Sequence, residues 1–214
     1  MRQMLKMLFS SMTEAGETMY LRMEITEDDQ SVTYYVTDAT AWWKEMNQLK
    51  EENVRDSLTG LLNRKGFHDG LESLFTCQEQ LKHAAMIMLD ADGLKLVNDI
   101  YGHHIGDDYL KRIASALDER TRGRKLSARL GGDEFILFLY GYSAKIDLEQ
   151  DIEKLRERRG ECFLGESENV PVTLEFSMGY AFYPDDDRDY HVLMHLADQN
   201  MYEENENGKK WRRA

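Results

Sequence analysis

Two acidic groups follow segments that can bring them together. The apolar run Ala84–Leu89 leads directly into Asp90 and Asp92, as in a buried strand that presents an acid at its carboxyl end. The second group, Asp133 and Glu134, follows two glycines between two strand-like segments. If these strands are neighbours, the carboxylates converge at one sheet edge. Mg²⁺ prefers carboxylate and phosphate oxygens, so the pattern favours metal-assisted phosphoryl or nucleotidyl transfer.

Each acidic group alone also has a plain structural interpretation. A Gly-Gly-Asp sequence is most often a hairpin turn, and an acid at a strand end is most often a solvated loop residue. The formal net charge of −13 argues against nucleic acid as a partner. An acidic chain still binds a phosphate ligand when metal ions supply the positive charge. Composition is therefore compatible with a nucleotide substrate.

The two cysteines and the apolar segments indicate the compartment. Cys77 and Cys162 lie far apart in the chain, which predicts a reduced, cytoplasmic protein with two structural thiols. No apolar run approaches the roughly 20 residues needed to span a membrane. The segment Met1–Phe9 is apolar and basic, but Arg2 and Lys6 interrupt it. We interpret it as an amphipathic helix and not as a signal peptide.

Hydrophobic periodicity predicts helices and strands around these acids. Strands are expected at Tyr20–Ile25, Ser31–Thr37, Ala84–Leu89, Ser127–Leu130, Glu134–Tyr140 and Val172–Phe182. Helices are expected to begin near Thr40 with an Asp38 cap, near Asn63 and at Gly106, and to cover Ile146–Arg158 and Tyr190–Glu206. Strands alternating with helices around one hairpin indicate an α/β or α+β domain whose sheet is covered by helices.

The assembled motifs resemble those of the GGDEF-domain diguanylate cyclases. The motifs that carry the resemblance are RLGGDEF at Arg129–Phe135, DSLTGLLNR at Asp56–Arg64, DADGLK at Asp90–Lys95, NDIYGHHIGD at Asn98–Asp107, SMG at Ser177–Gly179, and AD with MY between Ala197 and Tyr202. Several ordered motifs at matching separations are far more specific than one short motif. The resemblance covers roughly residues 56 to 210.

The resemblance implies a fold and a division of the chain. The family fold is a central five-stranded, mostly antiparallel sheet flanked by helices, similar to nucleotidyl cyclase and polymerase palm domains. We expect a GGDEF catalytic domain at residues 56–214, a helical linker at 40–55, and a partial PAS-like segment at 1–39. The two strands and the following helix carry this weaker PAS likeness. The segment is predicted to promote dimerisation or to be a remnant, and the alternative is a short hairpin packed on the catalytic domain.

The resemblance also implies metal and catalytic residues. Asp90 and Asp133 are expected to bind two Mg²⁺ or Mn²⁺ ions per site through their carboxylates, and Ala91 through its carbonyl oxygen. Asp133 and Glu134 are the expected catalytic residues. The implied reaction joins two GTP molecules into cyclic di-GMP and two pyrophosphates, by attack of a 3′-hydroxyl on an α-phosphate. Because one domain holds one GTP, the expected active unit is a homodimer.

Substrate recognition is assigned from the same resemblance. Asn98 and Asp107 are expected to read the guanine edge, because adenine presents the wrong pattern of donors and acceptors. The remaining expected substrate contacts are the backbone of Gly93, Leu94 and Lys95, the Lys95 ammonium, His103 and Lys209.

Three departures from the family pattern affect the expected activity. Gly93 replaces a usual Phe, which is expected to loosen the phosphate loop. Asn205 stands where the family has a phosphate-contacting lysine, among acidic residues such as Glu204. A lost charge-assisted contact costs about 1.5–3 kcal/mol, so we expect weaker triphosphate binding. Many family members also carry an inhibitory product site of the form RxxD. Here the motif begins at Arg122, but Lys125 replaces its Asp, which argues against product inhibition through this site.

Two other classes of function are alternatives. A catalytically weak module would bind GTP or a partner protein through the same cleft, as Asn205 and Gly93 suggest. A scaffold would interact only through its acidic surface and the helix that carries Trp42 and Trp43. The stripe of Trp42, Met46 and Leu49 suits either a two-helix seam or packing on its own domain. The sequence does not identify an upstream sensory partner.

Overall fold

The computed structural model describes residues 5–12, 17–27, 31–164 and 171–212. The chain divides into two compact units, Met1–Asn53 and Val54–Ala214. The first unit contains the strands β1 (Leu5–Met12), β2 (Thr18–Glu27) and β3 (Val32–Asp38), followed by the helix α1 (Thr40–Glu52). The strands form one antiparallel sheet in the order β1-β2-β3.

The prediction of an amphipathic helix at Met1–Phe9 is wrong. Residues from Leu5 onward form β1, which pairs with β2 along its whole length. Met7 lies opposite Met23, and Phe9 lies opposite Leu21, so apolar side chains alternate with a period of two. A short apolar run fits both periods, and the pairing with β2 decides between them.

The sheet of the first unit has one apolar face. Met7, Met23 and Val36 are aligned across the three strands, and Val36 remains 59% exposed. On the opposite face the ring of Tyr20 stacks on that of Trp43, with 3.6 Å between centroids. The two predicted strands are confirmed as β2 and β3. The predicted helix after Asp38 is confirmed as α1, which begins at Thr40. The PAS-like character of this segment stays a prediction.

The second unit contains six strands and five helices among its described residues. They are α2 (Arg64–Phe75), β4 (His83–Asp90), α3 (Leu94–Tyr101), α4 (His103–Asp118), β5 (Arg124–Gly131), β6 (Glu134–Tyr142), α5 (Lys145–Glu157), β7 (Cys162–Leu164), β8 (Pro171–Thr173), β9 (Ser177–Tyr183) and α6 (Tyr190–Arg212). The main sheet is antiparallel, in the order β5-β6-β4-β9, and β7 pairs separately with β8. An antiparallel sheet flanked by helices confirms the predicted fold class.

The main sheet has four strands in the described residues, where five were expected. An isolated bridge from Leu62 lies at the free edge of β5. The Leu62 N–H donates to the Ser127 carbonyl at 3.1 Å, and the Arg129 N–H donates to the Leu62 carbonyl at 2.9 Å. The bridge pairs Leu62 with Ala128 in parallel orientation. The segment before α2 therefore adds one paired residue to the sheet and no full strand.

The core lies on both faces of β4 and β6, which explains the continuous apolar runs. Ile87 and Leu89 face a cluster that includes residues of α4 and α5, whereas Met86 and Met88 face a cluster that includes residues of α2 and α6. Successive strand residues point to opposite faces, and here helices cover both. The middle strand β4 thus carries a buried backbone to the edge where Asp90 lies.

The predicted single strand Val172–Phe182 is broken into β8 and β9. Between them the Leu174 N–H donates to the Glu161 carbonyl at 2.8 Å, and the Leu174 carbonyl accepts from the Gly160 N–H at 2.7 Å. Because of these bonds, Leu174 pairs outside the main sheet, and the pairing of β9 with β4 includes residues only from Ser177 onward.

Both cysteines are free and exposed, so neither is the structural thiol that was expected. Among the described residues no helix combines the length and apolar character of a membrane span.

Candidate active site

The predicted metal-binding residues meet at one edge of the main sheet. Asp90, the last residue of β4, lies opposite Glu134 on β6 and opposite Ser177 on β9. The Ala91 N–H then donates to the Asp133 carbonyl at 2.9 Å. Antiparallel pairing of β4 with β6 therefore brings Asp90 and Ala91 next to the turn that carries Asp133.

The donor set at this edge suits a hard divalent cation. Asp90 and Asp133 are half-buried, and Ala91 is buried, with its carbonyl oxygen 3.5 Å from the Leu94 nitrogen. No cluster of three or more His, Cys, Asp or Glu side chains within the described ranges is arranged to hold a metal ion. The protein thus supplies few ligands of its own. Mg²⁺ is commonly bound in this way, by one or two carboxylates together with substrate phosphates and water.

Two arginines hold the turn between β5 and β6. The guanidinium of Arg129 donates to the Gly132 carbonyl from Nε at 3.0 Å and from Nη2 at 2.7 Å. Arg64 donates to the Leu130 carbonyl at 3.3 Å, and its Nη2 lies 3.7 Å from a carboxylate oxygen of Glu134. Both arginines lie within the sequence motifs, but neither was predicted to have a role. An arginine two residues before a Gly-Gly turn was the available signal.

The segment after β4 forms the start of a helix. Gly93 has a left-handed backbone (φ 76°) and precedes the first residue of α3. The Val97 N–H donates to the Gly93 carbonyl at 3.0 Å, which closes the first helical turn. Amides in the first turn of a helix favour anions. Leu94 and Lys95 lie in this turn, with Lys95 exposed, so the predicted phosphate-contacting residues follow the acid edge directly.

The predicted guanine-reading residues lie on two neighbouring helices. Asn98 belongs to α3, and Asp107 lies in the first turns of α4, next to Gly106. A Cβ atom added to Gly106 would lie 1.9 Å from Oδ1 of Asn98, so only glycine permits this approach. His103 is the exposed first residue of α4. The structure therefore brings Asn98 close to the residue preceding Asp107.

Two polar residues of α6, Asn200 and Glu204, make contacts with β9. The Asn200 side chain donates to the Tyr180 carbonyl at 2.9 Å. Glu204 accepts from the Met178 N–H at 2.6 Å and pairs with Arg159 at 2.9 Å. The charge of Glu204 is thus partly balanced, which the sequence did not reveal. Lys209 lies within α6, but its side chain is outside the described part of the structure.

Lys125 stabilises the end of α4. Its ammonium donates to the carbonyls of Leu117 at 3.0 Å and Glu119 at 2.8 Å, and lies 3.3 Å from Asp118. A cation at this position complements the carboxyl end of a helix. The residue also borders an open groove of about 810 Å³ between α4 and residues 55–62, away from Asp90 and Asp133. The replacement of the expected Asp therefore has a structural role here.

The fold and this edge define a nucleotidyl cyclase or palm-like domain, with acids at the end of its middle strand. The chain belongs to the family described as diguanylate cyclase, GGDEF domain, which matches residues 53–211. Among curated relatives, diguanylate cyclase DgcN of Escherichia coli is 36% identical over 157 residues, covering 73% of this chain and 38% of DgcN. Diguanylate cyclase DgcP of the same organism is 33% identical over 176 residues, covering 77% of this chain and 50% of DgcP. The chain thus spans half or less of these relatives.

Solved structures give the same family. The GGDEF domain of TpbB, also named YfiN, from Pseudomonas aeruginosa superposes with a TM-score of 0.64 at 31% identity, covering 72% of this chain and 89% of that one. The coiled coil and GGDEF domain of DgcB from Caulobacter crescentus, in complex with c-di-GMP, gives a TM-score of 0.67 at 26% identity, covering 78% and 88%.

Proposed function

We propose that this chain is a diguanylate cyclase, which converts two GTP molecules into cyclic di-GMP and two pyrophosphates. The observation that carries the proposal is the pairing of β4 with β6, with Asp90 opposite Glu134 and the Ala91 N–H on the Asp133 carbonyl. The family membership supports the same activity.

Asp90, Asp133 and the Ala91 carbonyl would hold Mg²⁺ or Mn²⁺, two ions per active site. Bound there, such ions polarise phosphate oxygens and neutralise charge on the leaving group. The carboxylates are half-buried and supply oxygen ligands only, which suits hard cations. The ions would also supply positive charge for binding a triphosphate to a chain whose formal net charge is −13.

The segment from Gly93 to Asp107 would bind the nucleotide. First-turn amides of α3 and the Lys95 ammonium would hold the β- and γ-phosphates. Asn98 and Asp107 would pair with the guanine edge, where an Asp accepts from N1–H and the amino group. The close approach of Gly106 to Asn98 supports a shared site for these two residues. ATP would leave these polar groups unpaired and would bind poorly.

The reaction would join two nucleotides across a homodimer. The 3′-oxygen of one GTP forms a bond to the α-phosphorus of the other, and the bond from that phosphorus to the bridging oxygen breaks. Pyrophosphate leaves, and Asp133 accepts the proton of the 3′-hydroxyl. A second, equivalent step closes the ring. Each subunit holds one GTP, so dimerisation supplies the proximity on which the rate depends.

The first unit would promote this dimerisation. The apolar side chains of α1 support the idea, since Trp42 is 52% exposed and Met46 is 37% exposed on the same stripe.

We propose a cytoplasmic protein, in agreement with two free, exposed cysteines.

The first experiment is a direct assay for product. Purified protein is incubated with GTP and Mg²⁺, then with Mn²⁺, and cyclic di-GMP is measured by liquid chromatography with mass detection. Asp133→Ala should abolish product and leave the fold intact, because an acid in a hairpin turn contributes little to the core. Asp69→Ala, which removes an exposed acid from α2, is the matched control and should keep full activity. Product from Asp133→Ala would contradict the role of Asp133, whereas GTP binding without product in the native protein would indicate a binding module.

A further inference from the structure

A buried tyrosine hydroxyl joins three segments beside the acid edge. Tyr109 on α4 is only 1% exposed. Its hydroxyl lies 2.9 Å from the Asp92 carbonyl and 2.6 Å from the Glu175 carbonyl, and it accepts from the Glu175 N–H at 2.8 Å. The hydroxyl has one proton, so it can donate to only one of the two carbonyls at a time. Through this one atom α4 contacts both the turn after β4 and the segment that enters β9.

The same turn is held from its other side. Ser177 is buried, with an exposed fraction of 4%, and its hydroxyl donates to the Asp92 carboxylate at 2.9 Å. Asp92 follows Ala91 and precedes Gly93, so it separates the carbonyl proposed for the metal from the start of α3. The backbone oxygen and the side chain of Asp92 are both anchored, and neither anchor is an acid of the edge itself.

We propose that Tyr109 is a positioning residue for the turn Ala91–Gly93, and that it thereby sets the affinity of the site for the metal–GTP complex. The inference rests on the proposed function for the identity of the ligand. Without the hydroxyl, the Asp92 carbonyl and the Glu175 backbone lose a buried partner, and the turn gains freedom relative to Asp90. Ligand binding must then restore the order of the turn, which lowers affinity. The bond-making groups are unchanged, so kcat changes less than KM.

Tyr109→Phe tests the proposal because it removes one oxygen and keeps the buried ring. We expect KM for GTP and the half-saturating Mg²⁺ concentration to rise about threefold to tenfold, with a smaller change in kcat. Amide hydrogen exchange in segment 91–95 should become faster without any ligand. Ser177→Ala should change the same quantities in the same direction, and it serves as the second variant if Tyr109→Phe folds poorly.

Tyr142→Phe is the matched control. Its hydroxyl is also buried but donates to Asp151 at 3.0 Å. This variant should loosen its own surroundings and leave KM, the Mg²⁺ dependence and exchange in segment 91–95 unchanged. If Tyr109→Phe lowers the melting temperature as Tyr142→Phe does, with native KM and native exchange at 91–95, Tyr109 is merely structural and the proposal fails.

A binding measurement separates this proposal from the proposed function. Calorimetry with 3′-deoxy-GTP and Mg²⁺ reports affinity without turnover, since the attacking hydroxyl is missing. A native protein that binds this nucleotide but makes no cyclic di-GMP from GTP in the product assay would contradict the cyclase assignment. Weaker binding by Tyr109→Phe would still support the role of Tyr109. Equal affinity in both proteins would overturn that role, whatever the activity.

Discussion

Arg129 and Asp56 form an ion pair of 3.4 Å that joins the Gly-Gly turn to the segment before α2. Asp56 also accepts from the N–H and the hydroxyl of Thr59, at 2.9 and 2.7 Å. Arg129 donates at the same time to the Gly132 carbonyl. Two motifs separated by more than 60 residues in the chain therefore meet at Arg129. This arginine contacts Gly132, the residue that precedes Asp133.

Asp56→Asn should weaken this connection. The amide keeps a similar shape but loses the negative charge that attracts Arg129. We expect a loss of about 1–2 kcal/mol in the free energy of unfolding at neutral pH, measured by urea denaturation. KM for GTP should also rise, because the turn that carries Asp133 is less well fixed. Asp69→Asn, an exposed acid on α2, is the control and should change neither quantity.

The stability difference between the native protein and Asp56→Asn should depend on pH. Burial acts to raise the pKa of Asp56, but the hydrogen bonds from Thr59 and the charge of Arg129 outweigh it, so the pKa is lowered. A carboxyl whose pKa is lower in the folded state stabilises the fold at pH values above its unfolded pKa of about 3.9. The difference should hold at about pH 5 to 7 and shrink as the pH falls through the folded pKa. A difference that stays constant down to about pH 3 would contradict the ionised pair.

The sequence predicts the parts of this structure that depend on local patterns. The run before Asp90 and the hairpin at Gly131 and Gly132 predicted β4, β5 and β6, because buried strands and glycine turns carry strong signals. The choice of helix for Met1–Phe9 failed, since nothing local distinguishes the two periods there. The break between β8 and β9 was also not predicted. It depends on hydrogen bonds with Gly160 and Tyr109, which are distant in the chain.

The candidate active site was likewise predicted only in part from the sequence. The neighbourhood of Asp90 and Asp133 followed from strand order, which the motifs indicated. The contacts that fix their surroundings could not be predicted, because they join side chains to backbone atoms of distant segments. Arg129 to Gly132 and Tyr109 to Asp92 are two such contacts. Residue type alone does not show which carbonyl an arginine or a buried hydroxyl reaches.

Asn205→Lys should strengthen binding of the triphosphate. Asn205 is half-buried on α6, at the position where the family has a lysine. The neighbouring Glu204 already pairs with Arg159, so it competes less for a new ammonium than its charge alone suggests. We expect KM for GTP to fall about threefold to tenfold, as one charge-assisted contact would produce. Steady-state kinetics measures this.

Gln199→Lys is the control for that substitution. It adds the same charge at an exposed position of the same helix. If both variants lower KM equally, the effect comes from net charge and not from a contact at position 205. An unchanged KM in Asn205→Lys would show that the position does not face the triphosphate in this chain.

Gly179→Ala should destabilise the second unit strongly. A Cβ atom at this position of β9 would lie 2.0 Å from the Met201 nitrogen and 2.3 Å from the Ala197 carbonyl oxygen. Both atoms belong to the backbone of α6, which cannot move aside as a flexible side chain does. We expect a loss of about 3 kcal/mol or more in the free energy of unfolding, measured by urea denaturation. Gly70→Ala on α2 is the control: its nearest neighbour is the Leu126 side chain, at 3.2 Å, and its effect should be much smaller. Equal losses in the two variants would contradict the close approach of α6 to β9.

Removal of residues 1–53 tests whether the first unit promotes dimerisation. The second unit is compact by itself, so residues 54–214 should keep the fold and the affinity for GTP. Specific activity should fall at low protein concentration and recover as concentration rises, because a weakened dimer re-forms by mass action. Sedimentation and activity, each measured over a range of protein concentrations, check this. Trp42→Glu in the full chain should act in the same direction, since Trp42 lies on the exposed stripe of α1. If the shortened and full chains show the same dependence on concentration, the first unit is a remnant with no part in dimerisation.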